Sequence, residues 1–244
     1  MLKDERRERI IEIIREKGFV KNVVLSELTN STIQTIISDV NELHDEGLIM
    51  KVYGGAKSLE NGVKKTQEPF DEEKSKINLT AKELIAKKAV EQIEDGDLVF
   101  LDTGTTTKKM LKFIAKKNVT IVTNGFSIAL ELIEQDIQVC LVGGTIIPST
   151  HATAGELALK FIDNFHFDKA FIGMNSLDNN KFYTTNIQEA TIKERVIKNS
   201  GTSFILMDSS KFNSQNRIKV DVKSETSLIS ENIPPDFKGK YIPA

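Results

Sequence analysis

The sequence predicts an α/β protein preceded by a small helical unit. Residues 1–57 carry three amphipathic helix patterns that close on a short β element, and from about residue 79 short apolar strands alternate with helices. Between them, 58–78 has charges, Gly62 and Pro69 but little apolar periodicity. The expected division is therefore a helical domain over 1–57, a linker over 58–78, and an α/β domain with a mainly parallel sheet over 79–244.

The first helix spans roughly 4–17, where Ile10, Ile13 and Ile14 follow a charged first turn and Gly18 stops the pattern. A short second helix fits Val23–Thr29. Asn30 and Ser31 break the chain, and Ser31-Thr32-Ile33-Gln34 reads as a capping box opening a third helix. Ile33, Ile36, Val40 and Leu43 give that helix one buried face until Gly47. Leu48–Ala56 then reads as two short strands, or a strand and a turn. Three helices and a small β element are the plan of a winged helix-turn-helix.

In the second part a helix near 81–94 precedes a strand at Leu98–Leu101 and a helix to about Lys117. A strand at Val119–Thr123, a helix to Gln135 and a strand at Ile137–Val142 come next. A helix near 154–164, a strand at 169–173, a helix near 187–199, a strand at 203–207 and short β segments within 217–230 complete the series.

Composition bounds the function. In 244 residues, 33 lysines and arginines nearly balance 35 aspartates and glutamates, which excludes a general polycation but not a local basic patch. The one cysteine, Cys140, excludes an internal disulfide and fits a reducing cytoplasm; its apolar surroundings predict a small buried hydrophobe. His44, His151 and His166 share no metal-ligand spacing, so neither metal nor cofactor is implied. The charged N-terminus is unlike a signal peptide, and no apolar run approaches the ~18 residues of a membrane span. These features predict a cytoplasmic protein without a membrane partner.

Parallel α/β sheets bind ligands beyond the carboxyl ends of their strands. The residues just past the predicted strands include Asp102, Thr103, Gly104, Thr105, Thr106 and Thr107; Thr123 and Asn124; Gly143 and Gly144; and Asp208-Ser209-Ser210-Lys211. The 102–107 loop puts glycine and hydroxyl donors before a helix, which suits an anion, although an N-capping turn without a ligand has the same spacing. It is neither a Walker loop nor a dinucleotide fingerprint. Lys211 supplies a mobile positive charge or is a surface lysine after a turn. Asp102 and Asn124 could bond polyol hydroxyls, and the glycine pair either admits a ligand or makes a turn. Glu189 and Lys193, four apart on a helix, read as an intrahelical pair. Together these positions suggest a pocket for a small phosphorylated polar molecule.

The chain resembles the DeoR-type bacterial transcriptional regulators nearly end to end. The resemblance is carried by Arg6-Arg7, Thr35-Ile36, Asp39 to Leu43, Glu46-Gly47-Leu48 and Tyr53-Gly54-Gly55-Ala56. It continues through Ile93 to Asp97, the 102–107 loop, Thr123-Asn124, Gly143-Gly144, Phe167 to Gly173 and Asp208 to Phe212. It implies a DNA-binding winged helix and a sensor domain similar in fold to ribose-5-phosphate isomerase. It also implies a sugar-phosphate effector, a double-stranded DNA operator of sugar metabolism, repression, and assembly as a homodimer or homotetramer. On that basis DNA contacts are expected from Arg6, Arg7, Lys21, Ser31, Thr32, Gln34, Thr35, Ser38, Asn41, Lys51, Tyr53 and Lys57. The effector is expected at Asp102 to Thr107, Thr123, Asn124, Gly143, Gly144 and Lys211.

One departure matters. Where the family carries two arginines in its recognition helix, this chain has Ile37 and Ser38. No lysine or arginine lies between Ser31 and Glu46, while Asp39, Glu42, Asp45 and Glu46 are acidic; residues 1–57 carry nine basic and ten acidic side chains. Phosphate contacts would have to come from flanking Arg6, Arg7, Arg9, Lys21, Lys51 and Lys57, which predicts weak binding per subunit. Ile37 could touch a thymine methyl but is expected to pack under the wing. Two other functions fit the same residues: an isomerase using Asp102 and Lys211, and a protein-interaction module built on the acidic third helix.

Overall fold

The structure, a computed structural model, describes residues 3–46, 48–58, 77–114, 118–234 and 236–244. The chain divides into two compact units, 1–62 and 63–244. Most of the expected linker, including Gly62 and Pro69, lies outside the described residues, as do Gly47 and the expected helix end at Lys117.

In the first unit, α1 (Lys3–Lys17), α2 (Asn22–Leu28) and α3 (Ile33–Asp45) join an antiparallel sheet of β1 (Phe19–Lys21), β2 (Ile49–Val52) and β3 (Gly55–Ser58), ordered β1-β3-β2. Strand β1 was not expected; three residues are too few for a periodicity. Ile10, Ile13 and Ile14 of α1 meet Leu25, Ile36, Val40, Leu43, Val20, Ile49 and Ala56 in one core. Two expectations fail here. The cap of α3 is Thr32, not Ser31: the Thr35 amide donates to Thr32 Oγ1 at 3.2 Å, while the Ser31 hydroxyl donates to the Thr29 carbonyl in the preceding turn. Ile33 stays 45% exposed, because as the first residue of α3 it lies at the open end of the Ile36–Val40–Leu43 stripe.

In the second unit seven strands form one sheet, ordered β15-β14-β12-β9-β4-β5-β6, with every pairing parallel. They are β4 (Leu98–Leu101), β5 (Thr120–Thr123), β6 (Val139–Leu141), β9 (Phe167–Gly173), β12 (Ser200–Leu206), β14 (Ser227–Ser230) and β15 (Lys240–Pro243). Val99 and Leu101 pack into a core with α4 (Leu79–Val90), α6 (Leu111–Ile114) and α7 (Phe126–Glu134), and the short α5 (Thr105–Lys109) precedes α6. Phe100 points the other way, toward α8 (Glu156–Ile162) and α9 (Ile187–Lys198). Burial on both faces explains why the strands read as apolar runs rather than alternations. Two hairpins escaped the sequence reading: β7 (Thr145–Ile147) with β8 (Ala152–Ala154), and β10 (Ser176–Asp178) with β11 (Lys181–Thr184), which also pairs β13 (Ile218–Val220).

The strand order places the site. From β4 the chain steps outward through β5 and β6, then returns to β9 on the other side of β4 and steps the opposite way. The crevice beyond the ends of β4 and β9 is therefore the topological switch point.

Candidate recognition helix and effector pocket

Asp39, Glu42 and Glu46 are directed at α1. Asp39, 1% exposed, receives the Arg6 guanidinium at 2.6 and 3.3 Å. Glu42 accepts from Lys3 at 2.9 Å, which holds its carboxyl below the ordinary value, and Glu46 is bonded by Arg7. Residues 39, 42 and 46 share one side of the helix. Three of the four acids that made α3 look hostile to DNA are thereby neutralised on its rear. The same geometry changes the expectation for Arg6 and Arg7, which are tied up inside the unit, and Arg9 pairs with Glu12 at 2.9 Å.

The opposite face of α3 is uncharged over its first turns. Gln34, Ile37 and Ser38 are exposed, Thr35 and Asn41 are half-buried, and Asn41 Oδ1 is buried with no hydrogen-bond partner among the described residues. Ile37, expected to pack under the wing, is 40% exposed, and it is Ile36 that enters the core from this helix. Thr32 and Thr35 bond each other through their hydroxyls. Lys21 and Lys57 are exposed on the outward side of the small sheet, whereas Lys51 is in register with buried Ala56 and emerges at the rim of the inner side. Tyr53 is fully exposed at the β2–β3 turn, where Gly54 takes a φ of 75°, the positive φ of the third residue in a type II turn.

In the second unit a narrow slot at the switch point is lined by Thr103 to Thr107, Thr150, Gly173, Met174, Asn175, Glu189, Lys193 and Lys211. The first turn of α5 faces it from Gly104, an N-cap with no side chain to occupy the helix amides. The Lys211 ammonium donates to the Met174 carbonyl at 2.8 Å, and Glu189 accepts from the Thr150 hydroxyl at 2.7 Å. Behind the slot the Lys193 ammonium reaches the Asp102 carboxylate at 2.5 Å, with both groups almost completely buried, and the Gly173 amide donates to the same oxygen. Glu189 and Lys193 are thus wall residues of the cleft, held by contacts to distant segments. Helical spacing alone could not show this.

The slot gathers Thr103 to Thr107 and Lys211 from the expected set, but not the rest. Asp102 lies behind Lys193 rather than on the wall. Thr123 donates to the Leu101 carbonyl and accepts from the Gly125 amide; Asn124 accepts from the Thr103 amide and donates to the Thr153 carbonyl. Both are buried supports of the loop. Gly144, at φ 136°, lies where an added Cβ would come within 2.5 Å of the Ala154 carbonyl, so its role is close packing against the end of β8. Gly143 also lies outside the lining. Six wall residues were missed: Thr150, Gly173, Met174, Asn175, Glu189 and Lys193. Residues past the end of β9 would have returned Met174 and Asn175, whereas Thr150 and α9 arrive only by tertiary packing.

A wider cavity of about 450 Å³ opens at the ends of β12 and β14, between Asn78 to Ala81, Ser209, Ser210 and Glu231. Its one charged wall residue among those described is an acid, which disfavours phosphate. Asp208 stands between the two cavities. Burial pushes its carboxyl up, but Lys211, Ser210, Asn78 and Lys82 together hold it below the ordinary value.

Comparison with known proteins settles the family. A model described as the DeoR C terminal sensor domain matches residues 77–232, and one described as a DeoR-like helix-turn-helix domain matches 6–61. The chain belongs to the DeoR family. This DeoR-family regulator is 38% identical to the HTH-type transcriptional regulator FruR of Bacillus subtilis over 214 residues, covering 87% of this chain and 84% of that protein. It is 34% identical to the HTH-type transcriptional regulator GlpR of Haloferax volcanii over 230 residues, covering 93% and 89%. It is 32% identical to a lactose phosphotransferase system repressor of Staphylococcus epidermidis over 214 residues, covering 86% and 84%. Among solved structures, ribose 5-phosphate isomerase A of Methanocaldococcus jannaschii shares 19% identity over 55% of each chain, with a TM-score of 0.42. No helix among the described residues is long and apolar enough to cross a membrane.

Proposed function

We propose that this DeoR-family regulator represses a sugar-utilisation operon and that a phosphorylated sugar in the switch-point slot changes its grip on the operator. The observation that carries the reading is the wall of the slot, where the first turn of α5 and its threonines face Lys193 and Lys211. Amides, hydroxyls and the Lys211 ammonium suit a phosphate; Glu189 and Asn175 suit sugar hydroxyls. The staphylococcal relative, named as a repressor of a lactose phosphotransferase system, supports the same assignment.

The slot is narrow, about 40 Å³, little more than the space of one water molecule. A whole sugar phosphate must spread α9 from the 103–107 loop, so its affinity differs between a closed and an opened sensor. That difference is the only quantity through which an effector can shift an equilibrium. In a homodimer or homotetramer, paired recognition helices must meet half-sites about 34–36 Å apart, so a small rotation of the sensors weakens binding.

The isomerase reading is not favoured. A base must reach a substrate proton, and Asp102 is instead held by Lys193 and the Gly173 amide behind the wall. The acidic-helix reading also loses its motive, since those acids bond α1. Fluorescence anisotropy of the full chain on its own upstream DNA, with and without a panel of sugar phosphates, tests the proposal. One sugar phosphate is expected to release or tighten the complex; no response across the panel overturns the effector assignment.

A further inference from the structure

The geometry points to a recognition helix that reads A·T base pairs, with Ile37 packed on a thymine methyl and Gln34 paired to adenine. This rests on the DNA-binding reading and goes beyond it by naming what is read. In a helix-turn-helix the first turns of the recognition helix meet the base edges. Here those turns expose Ile33, Gln34, Ile37 and Ser38, and no lysine or arginine occurs in α3.

Guanine is most often read by arginine or lysine across O6 and N7, and this face has neither. The nearest arginines, Arg6 and Arg7, are held against Asp39, Glu42 and Glu46 on the other side of the helix. The glutamine amide matches the donor and acceptor pair of adenine, and an exposed aliphatic side chain gains by covering the thymine C5-methyl. Ile37 is a branched apolar residue 40% exposed beside Gln34 and Ser38, and it is outside the buried core of its unit. Thymine supplies the one apolar group the major groove offers.

The test selects from a random 40-base-pair duplex library with the full chain. Affinity for the selected site is then measured by anisotropy with each thymine replaced in turn by deoxyuridine, which lacks only the methyl. The expected half-site core is A·T, and deoxyuridine at one or two positions weakens binding about fourfold, the value of one buried methyl group. Ile37→Ala should lose the same factor on thymine and nothing more on deoxyuridine, while Ile37→Arg should move the preference at that position toward G·C. Ile37 lies outside the core, so both variants keep the fold. A selected core dominated by G·C, or indifference to every deoxyuridine, overturns the inference and leaves DNA binding standing. No enrichment at any salt concentration overturns both.

Discussion

Lys193 and Asp102 show how much a single pair can carry. Each is buried, and each satisfies the other's charge within the wall of the slot. Removing one partner strands the other in a poor solvent, so Lys193→Met should cost about 3–5 kcal/mol and lower the melting temperature by roughly 10 °C. Removing both charges with Asp102→Asn and Lys193→Met should recover much of that loss, and urea unfolding of the two variants checks it. Asp208 gives a pH dependence. Its carboxyl is held below the unfolded value of 3.8, so its contribution is complete above that value and disappears as pH falls through the folded one. Asp208→Asn should therefore flatten the loss of stability below about pH 4 in acid titrations followed by circular dichroism.

At the scale of elements, the ion pairs between α1 and α3 set the angle of the reading helix. Arg6 and Asp39 are the more buried pair, so Arg6→Met should destabilise the first unit by about 2 kcal/mol, whereas Arg7→Ala, facing an exposed Glu46, should cost well under 1 kcal/mol. Thr32→Ala removes the cap of α3 and should cost about 1 kcal/mol. The same pairing governs salt dependence. With Asp39, Glu42 and Glu46 paired to α1 and with Arg6, Arg7 and Arg9 engaged, Lys21, Lys51 and Lys57 are the phosphate contacts left from the expected set. A dimer then neutralises about six phosphates, giving a slope of log affinity against log salt near −5. A slope twice as steep would mean that α1 releases its arginines to the DNA.

For the whole molecule, the two units differ in the range of their contacts. The first is closed by local helices and a tight hairpin. The second builds a parallel sheet in which β4 must wait for β9, and each strand pair spans a crossover. Non-local pairing slows folding. Stopped-flow refolding should give a fast phase from the helical unit and a slower one from the sheet. Thr32→Ala should alter only the fast phase, and Lys193→Met only the slow one.

The two-part plan, the three helices, the alternation of strands and helices and the loop from Asp102 to Thr107 were legible in the sequence. Each is written in periodicity, glycine position or residue type over fewer than about twenty neighbours, the range over which pattern and local sterics act. Lys211 was found in the same way, as a residue just past a strand. What only the tertiary structure decided was direction and partnership. It turned Asp39, Glu42 and Glu46 toward α1, left Ile37 exposed, brought Glu189, Lys193 and Thr150 to the slot, and made Asn124 and Gly144 supports rather than contacts. Nothing local encodes these facts. Lys193 meets Asp102 across 91 positions, and Arg6 meets Asp39 across 33. Such pairs exist because the order of strands in the sheet and the packing of helices bring distant charges together, and burial then forces each to find its counter-charge.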